Sequence, residues 1–126
     1  MNVPDDLRYS SDHEWARTSG DRIRIGITDF AQDALGDVVF VELPSPGSVV
    51  VPGGVIGEVE STKSVSEIYA PVSGEVVAVN TGLVDAPELM NSDPYGDGWI
   101  CEIASTDSTA VEALLDSTGY RQLTEG

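Results

Sequence analysis

A mainly β fold, two small sheets packed as a flattened barrel or sandwich with an approximate twofold repeat, is what this sequence predicts, on three observations. The first is punctuation: short β-branched runs recur along the chain, each closed by Gly, Pro, Asn or Asp, the pattern of short strands joined by tight turns. The second is repetition. Gly36-Asp37-Val38-Val39-Phe40-Val41 is similar to Gly74-Glu75-Val76-Val77-Ala78-Val79, 38 residues on, and Val55 to Thr62 is similar to Trp99 to Thr106, 44 residues on. A six-residue insertion in the second copy, within Asp85 to Gly98, accounts for the difference, and two like units of strands suggest two like sheets. The third is that helical patterning is confined to short segments, which packing rather than propensity must hold. At 126 residues the chain is expected to be one domain, 1–126, with a core that needs no disulfide staples.

Taken in order, Tyr9 to Thr28 reads as an N-terminal hairpin: Glu14 to Arg17, a Ser19-Gly20-Asp21 turn, then the alternating Ile23-Arg24-Ile25-Gly26-Ile27. Thr28 or Asp29 is placed to cap a short helix through Leu35, with Gly36 suited to the position just past its end. Asp37 to Leu43 is a strand, ended by Pro44-Ser45-Pro46-Gly47, and Val49 to Val51 is a shorter one. A central hairpin over about 55–70 follows, then a strand over Glu75 to Val79. Asp85 to Met90 reads as one helical turn, Asn91 to Gly98 as a loop, and Trp99 to Ala104 as the last strand. Ser108 then caps a C-terminal helix over Thr109 to Leu115, with a second piece after Ser117.

Charge narrows the partners. The 22 Asp and Glu against six Lys and Arg give a net charge of −16, which argues against nucleic acid or an anionic membrane as a partner. Adaptation to high salt and steering toward basic partners both fit this surplus; the first also explains the scarcity of lysine, and a halophilic acidic protein is the expectation. The single cysteine, Cys101, reads as a small buried apolar residue, and with His13 the only imidazole the two make neither a nucleophile pair nor a metal set. The opening residues carry no basic region or apolar run, no segment reaches membrane-spanning length, and a cytoplasmic site of action is expected.

The centre of the chain is Gly57 to Pro71, because it holds the only lysine, Lys63, between two strand-like arms. The tip Ser61-Thr62-Lys63-Ser64 lacks the Gly or Asn of a type I′ turn, but Ser in first position suits type I, with the Lys63 side chain directed to solvent. An exposed lysine is ordinarily just a solvated charge. Here lysine is otherwise absent from the surface, so one retained at a tip points to a task, and a flexible primary amine is the usual target of acyl modification. In the repeat its counterpart is Asp107, so only one half offers an amine. No nucleophile with a nearby base, Gly-rich phosphate loop or metal-ligand cluster is apparent, and the chain is not expected to be an enzyme.

Several motifs in one order then resemble the glycine cleavage system H protein family of lipoyl carriers: His13-Glu14-Trp15, Gly26-Ile27-Thr28-Asp29, Leu35 to Pro44, Glu60-Ser61 before Lys63, Ala70 to Val76, and Pro94-Tyr95-Gly96 before Gly98-Trp99. The resemblance covers nearly the whole chain. It implies a biotinyl/lipoyl-carrier-like fold and lipoic acid in amide linkage to Lys63. It also implies partners: a pyridoxal-phosphate glycine decarboxylase that loads an aminomethyl group on the arm, an aminomethyltransferase that passes the one-carbon unit to tetrahydrofolate, and a flavin-dependent dihydrolipoyl dehydrogenase. A lipoate ligase or lipoyl transferase would attach the group. The chemistry belongs to the cofactors, and the carrier supplies a tether that raises local concentration.

By the same resemblance Glu14 and Glu67, with Asp12 as a weaker candidate, line the cleft where the loaded arm rests, and a carboxylate there can pair with the cationic load. Family members can carry His where this chain has Ala34, which implies looser docking or other groups. Biotin carrier domains place Met on both sides of the lysine, whereas Thr62 and Ser64 flank Lys63. Lipoyl domains of 2-oxo acid dehydrogenase complexes are shorter and continue into Ala/Pro-rich linkers. A free-standing, monomeric carrier is therefore expected, with a relay or assembly protein of lipoate metabolism as the alternative and an unmodified interaction module as a third reading.

Overall fold

The computed structural model describes residues 2–105 and 109–125. Its strands form two antiparallel sheets, and among the described residues neither sheet closes into a barrel. The first contains β1 (Arg8–Tyr9), β2 (Glu14–Ser19), β3 (Arg22–Ile27), β5 (Val49–Val50), β8 (Gly74–Val79) and β9 (Cys101–Ala104), in the order β1-β2-β3-β9-β8-β5. The second contains β4 (Val38–Glu42), β6 (Val55–Ser61) and β7 (Val65–Tyr69), in the order β4-β6-β7. The mainly β, two-sheet expectation holds in its sandwich form.

The N-terminal hairpin turns tightly, with Ser19 opposite Arg22 and Gly20 at φ 63, the positive value that a first central Gly supplies at no steric cost. Trp15 pairs with Gly26 across the hairpin. A Cβ built on Gly26 would lie 2.6 Å from the indole, so the pairing of the largest side chain with the smallest residue is a packing requirement. The indole is 0 % exposed and its Nε1 donates to the Pro94 carbonyl at 2.9 Å, which ties the hairpin to the Asn91–Gly98 region.

Apolar residues at alternate strand positions fill the space between the sheets: Ile23, Ile25 and Ile27 from one, Val41, Val59 and Ile68 from the other. Each such side chain contributes about 1.5–3 kcal/mol on burial. Cys101 belongs to this core and is 0 % exposed. Burial pushes its thiol up to about 12, so it is an inert core residue. A second cluster gathers Val3, Leu7, Tyr9, Trp15 and Tyr120.

The repeat is visible in the pairing. Strand β6 lies between β4 and β7, and β9 lies between β8 and β3. Register slips between Val38 and Phe40 in β4 and between Val76 and Ala78 in β8, equivalent positions in the two copies. Asp107, the counterpart of Lys63, lies outside the described residues, as does the expected cap Ser108.

Three boundaries differ from the sequence reading. The helical turn expected over Asp85–Met90 is instead two, α2 (Gly82–Asp85) and α3 (Leu89–Ser92), because Pro87 disfavours helical backbone at Ala86. The last strand begins at Cys101 rather than Trp99. Residues 109–115 form turns rather than a helix, and the C-terminal helix is α4 (Ser117–Glu125). Leu115 exchanges backbone hydrogen bonds with Tyr9, and Arg8 donates to the carbonyls of Glu112 and Leu114, so tertiary partners claim groups that a helix would use. The remaining helix, α1 (Asp29–Leu35), is capped as expected by the Thr28 hydroxyl, which accepts from the Ala31 amide.

One cross-strand row of the three-stranded sheet is unusual. Register places Glu42 opposite Glu58 and Glu58 opposite Glu67, three carboxylates in one cross-strand row. Like charges so placed repel. The next row holds Phe40, Glu60 and Val65, and leads to the hairpin tip.

Candidate functional site

Lys63 sits at the exposed tip between β6 and β7, and its mounting is rigid at the root. The Ser61 hydroxyl accepts from the amides of Lys63 at 3.2 Å and Ser64 at 3.1 Å, and Ser61 N donates to the Ser64 carbonyl at 2.8 Å. The tip is thus organised around the Ser61 side chain, which takes the amide that a simple type I turn would send to the Ser61 carbonyl. Thr62 N donates to the Asp37 carbonyl, pinning the tip to the start of β4.

Under the lysine lies Gly36, at φ 79 as the C-cap of α1. A Cβ there would lie 3.2 Å from Lys63 Cε, so glycine both relieves the backbone and leaves room for the lysine stem. Asn91 holds this segment: its amide donates to the Gly36 carbonyl at 2.8 Å and to Gln32 Oε1, and its Oδ1 accepts from Val38 N. Among the described residues Lys63 has no ion pair and no side-chain hydrogen bond, whereas Arg22 and Arg24 both bind Glu102 and Arg121 reaches Glu125.

Beside the tip opens a cleft of about 330 Å³, and Ser64, the residue after Lys63, is on its wall. Its apolar lining comes from Ile27, Phe30, Leu35 and Ile68, and its polar lining from Asp12, His13, Glu14 and Glu67. The three sequence candidates are therefore brought together on one cleft, with Ala34 on the same wall. Their burial differs sharply. Asp12 and Glu67 are exposed, but Glu14 is 2 % exposed and cannot be counted among the ordinary surface acids. Burial, with a smaller contribution from Asp12, pushes its carboxyl up to about 7 against the hydrogen bonds from Ser10 and the Tyr69 backbone. Ser10 Oγ donates to Glu14 Oε1 at 2.7 Å.

Sequence reasoning missed three groups here. His13, a lone imidazole in the sequence, lines the cleft and packs against Phe30 with 4.7 Å between ring centroids and the planes tilted by 31°. Tyr120, from α4, places its hydroxyl 2.7 Å from His13 Nδ1. Asn91 falls in a stretch whose composition predicts a loop, whereas it lies in α3. The one available signal was the adjacency of His13 to Glu14; the partners of Tyr120 and Asn91 are far off in the chain.

The arrangement is an exposed amine on a hydrogen-bonded root beside a cleft with apolar walls and carboxyls at its lining. Among the described residues no cluster of His, Cys, Asp and Glu is placed to hold a metal ion, and no helix is long and apolar enough to cross a membrane.

Comparison with known proteins agrees in every direction. Residues 7–126 match the family model described as Glycine cleavage H-protein. A glycine cleavage system H protein of Mycobacterium avium (strain 104) is 58 % identical over 125 residues, 95 % of each chain. One from Anaeromyxobacter sp. (strain K) is 54 % identical over 125 residues, 99 % of this chain and 98 % of the relative. The crystal structure of a glycine cleavage system H protein from Mycobacterium marinum superposes with a TM-score of 0.89 at 45 % identity, covering 98 % of this chain and all 100 % of the other.

Proposed function

The chain belongs to the glycine cleavage H-protein family, a carrier rather than a catalyst, and on that premise we propose that Lys63 bears a lipoyl group in amide linkage. In this reading Lys63 would hold an arm that carries the aminomethyl group of glycine from a pyridoxal-phosphate glycine decarboxylase to an aminomethyltransferase, and a flavin-dependent dihydrolipoyl dehydrogenase would then reoxidise the dithiol with NAD as the electron acceptor. A lipoate ligase or lipoyl transferase attaches the arm. The carrier works as one domain spanning 1–126, as a monomer in the cytoplasm.

The observation that carries the reading is the conjunction at the tip: the only lysine of the chain, free of ion pairs among the described residues, one residue from a cleft lined by apolar side chains and carboxyls. These residues fit the group. The lipoyl dithiol supplies the sulfur that bears the load. The protein's part is to hold, orient and shield. Ser61 and Asn91 fix the root of the arm; Ile27, Phe30, Leu35 and Ile68 exclude water from its chain; Glu14 and Glu67, with Asp12 at the rim, face the cationic end. Exclusion of water slows hydrolysis of the load. Glu14 Oε1, hydrogen-bonded by Ser10, ionises more readily when a cation enters beside it.

Intact mass followed by peptide mapping of the protein from its native host tests this. A lipoyl-sized increment on the peptide containing Lys63 is expected. An unmodified Lys63 in cells whose other lipoyl proteins carry their cofactor would overturn it, and a biotin-sized increment would show the flanking residues misread.

A further inference from the structure

His13 is the polar group on the cleft to which the carrier reading gives no task, and the fold holds it with unusual care. Its backbone is at φ 72, the one non-glycine residue among those described with positive φ. Left-handed backbone is unfavourable for an L-residue, and such strain concentrates at functional positions. The segment is held on both sides, His13 N donating to the Ser10 carbonyl and Thr28 N to the His13 carbonyl. The ring is held too, by Phe30 and by the Tyr120 hydroxyl at Nδ1.

The hydrogen bonds around Tyr120 determine which ring nitrogen carries the proton. Thr28 is 0 % exposed, and its Oγ1 already accepts from Ala31 N. Its own proton needs an acceptor, and among the described residues the remaining partner of Oγ1 is the Tyr120 oxygen at 2.7 Å. With Thr28 donating to Tyr120, the phenolic proton goes to His13 Nδ1. A neutral imidazole that accepts at Nδ1 carries its proton at Nε2. Burial lowers the His13 proton affinity, which favours that neutral form at neutral pH. The other titratable groups on the cleft, Asp12, Glu14 and Glu67, offer acceptors when ionised, so an N–H donor complements the set.

We propose that His13 presents an Nε2–H donor to the cleft and binds the amide carbonyl of the docked lipoyl arm, with Tyr120 a positioning residue that acts through Nδ1. This rests on the carrier reading of Lys63. The amide carbonyl is the strong acceptor that such an arm offers, since a terminal ammonium only donates and sulfur accepts weakly. The carboxyls thus take the cation, the imidazole takes the carbonyl, and the C-terminal helix becomes part of the site.

His13 is the only histidine, so ¹⁵N-histidine labelling gives one pair of ring signals. They are read at neutral pH in the unmodified protein, the lipoylated protein, and the reduced lipoylated protein treated with formaldehyde and ammonium. That treatment joins one thiol, formaldehyde and ammonium as a thioether-linked aminomethyl cation and releases water, with no change of oxidation state overall. The Nε2–H tautomer is expected in the unmodified protein, with an Nε2 shift on loading. Tyr120→Phe is expected to give mixed tautomers and to release the load about fivefold faster, the worth of one hydrogen bond. His13→Asn, which suits left-handed backbone, is a second variant expected to release faster than wild type.

An Nδ1–H tautomer in the wild type would overturn the proposal, as would an unmoved Nε2 signal in a protein whose load is protected. A load that hydrolyses as fast as a free dithiol adduct would overturn the cleft reading and this proposal with it. Failure of the Lys63 assignment shows separately, in the mass.

Discussion

Replacing Glu14 by Gln should change how the stability of the protein depends on pH. The carboxyl is 2 % exposed, and burial raises it from 4.5 to about 7. Between those values the folded chain holds a proton that the unfolded chain has released. Stability therefore falls as pH rises through the window, and the loss is complete above about 7. At about 1.4 kcal/mol per pH unit, the interval corresponds to a loss of about 3 kcal/mol, large against the 5–15 kcal/mol of a typical domain. The Gln variant keeps the shape and has no proton to lose. His13 acts in the opposite sense: its proton affinity is lowered by burial, so its contribution grows as pH rises from the lowered folded value toward the unfolded 6.5 and is complete above it, but it is present in both proteins and cancels in the difference. Urea denaturation of wild type and Glu14→Gln from about pH 4.5 to 8 reads the effect directly. The advantage of wild type over variant should shrink by about 3 kcal/mol across the range. Parallel curves would refute the reasoning, because they would mean that Glu14 titrates as an ordinary exposed acid.

Gly36→Ala should destabilise by about 1–3 kcal/mol, because φ 79 with ψ −156 is backbone essentially confined to glycine, and should slow acylation of Lys63, whose Cε would lie 3.2 Å from the new methyl; thermal unfolding and a timed acylation with purified lipoate ligase read the two effects. With a net charge of −16, the melting temperature should rise between low and molar potassium chloride as repulsion is screened; a flat response would remove the high-salt interpretation of the acidity.

What the sequence made legible was whatever local chemistry decides. Val38–Glu42 reads as a strand from its own residues, and Thr28 and Gly36 mark the ends of α1 because a cap and a left-handed stop are properties of single positions. Thr109 to Leu115 misled because its helical pattern is real but weak, and the bonds of Leu115 to Tyr9 outweigh it. The cleft was half legible. Glu14 and Glu67 could be nominated by resemblance, but that one is buried and the other exposed depends on how the two sheets pack. His13 and Asn91 matter through Tyr120, 107 residues away, and Gly36, 55 residues away, and no local pattern reports such partners.

The carboxylate row on the three-stranded sheet has a consequence for how copies of this protein behave together. Strand β7 is an outermost strand of the three-stranded sheet, the position at which a neighbour's strand can add, whereas at β4 Asn91 already takes the Val38 amide. A second copy that approached this edge would bring more carboxylates toward Glu42, Glu58 and Glu67, which like charge opposes. The charge works as a fence between molecules. It sets like molecules apart most strongly at low ionic strength, and the separation weakens as salt screens the row.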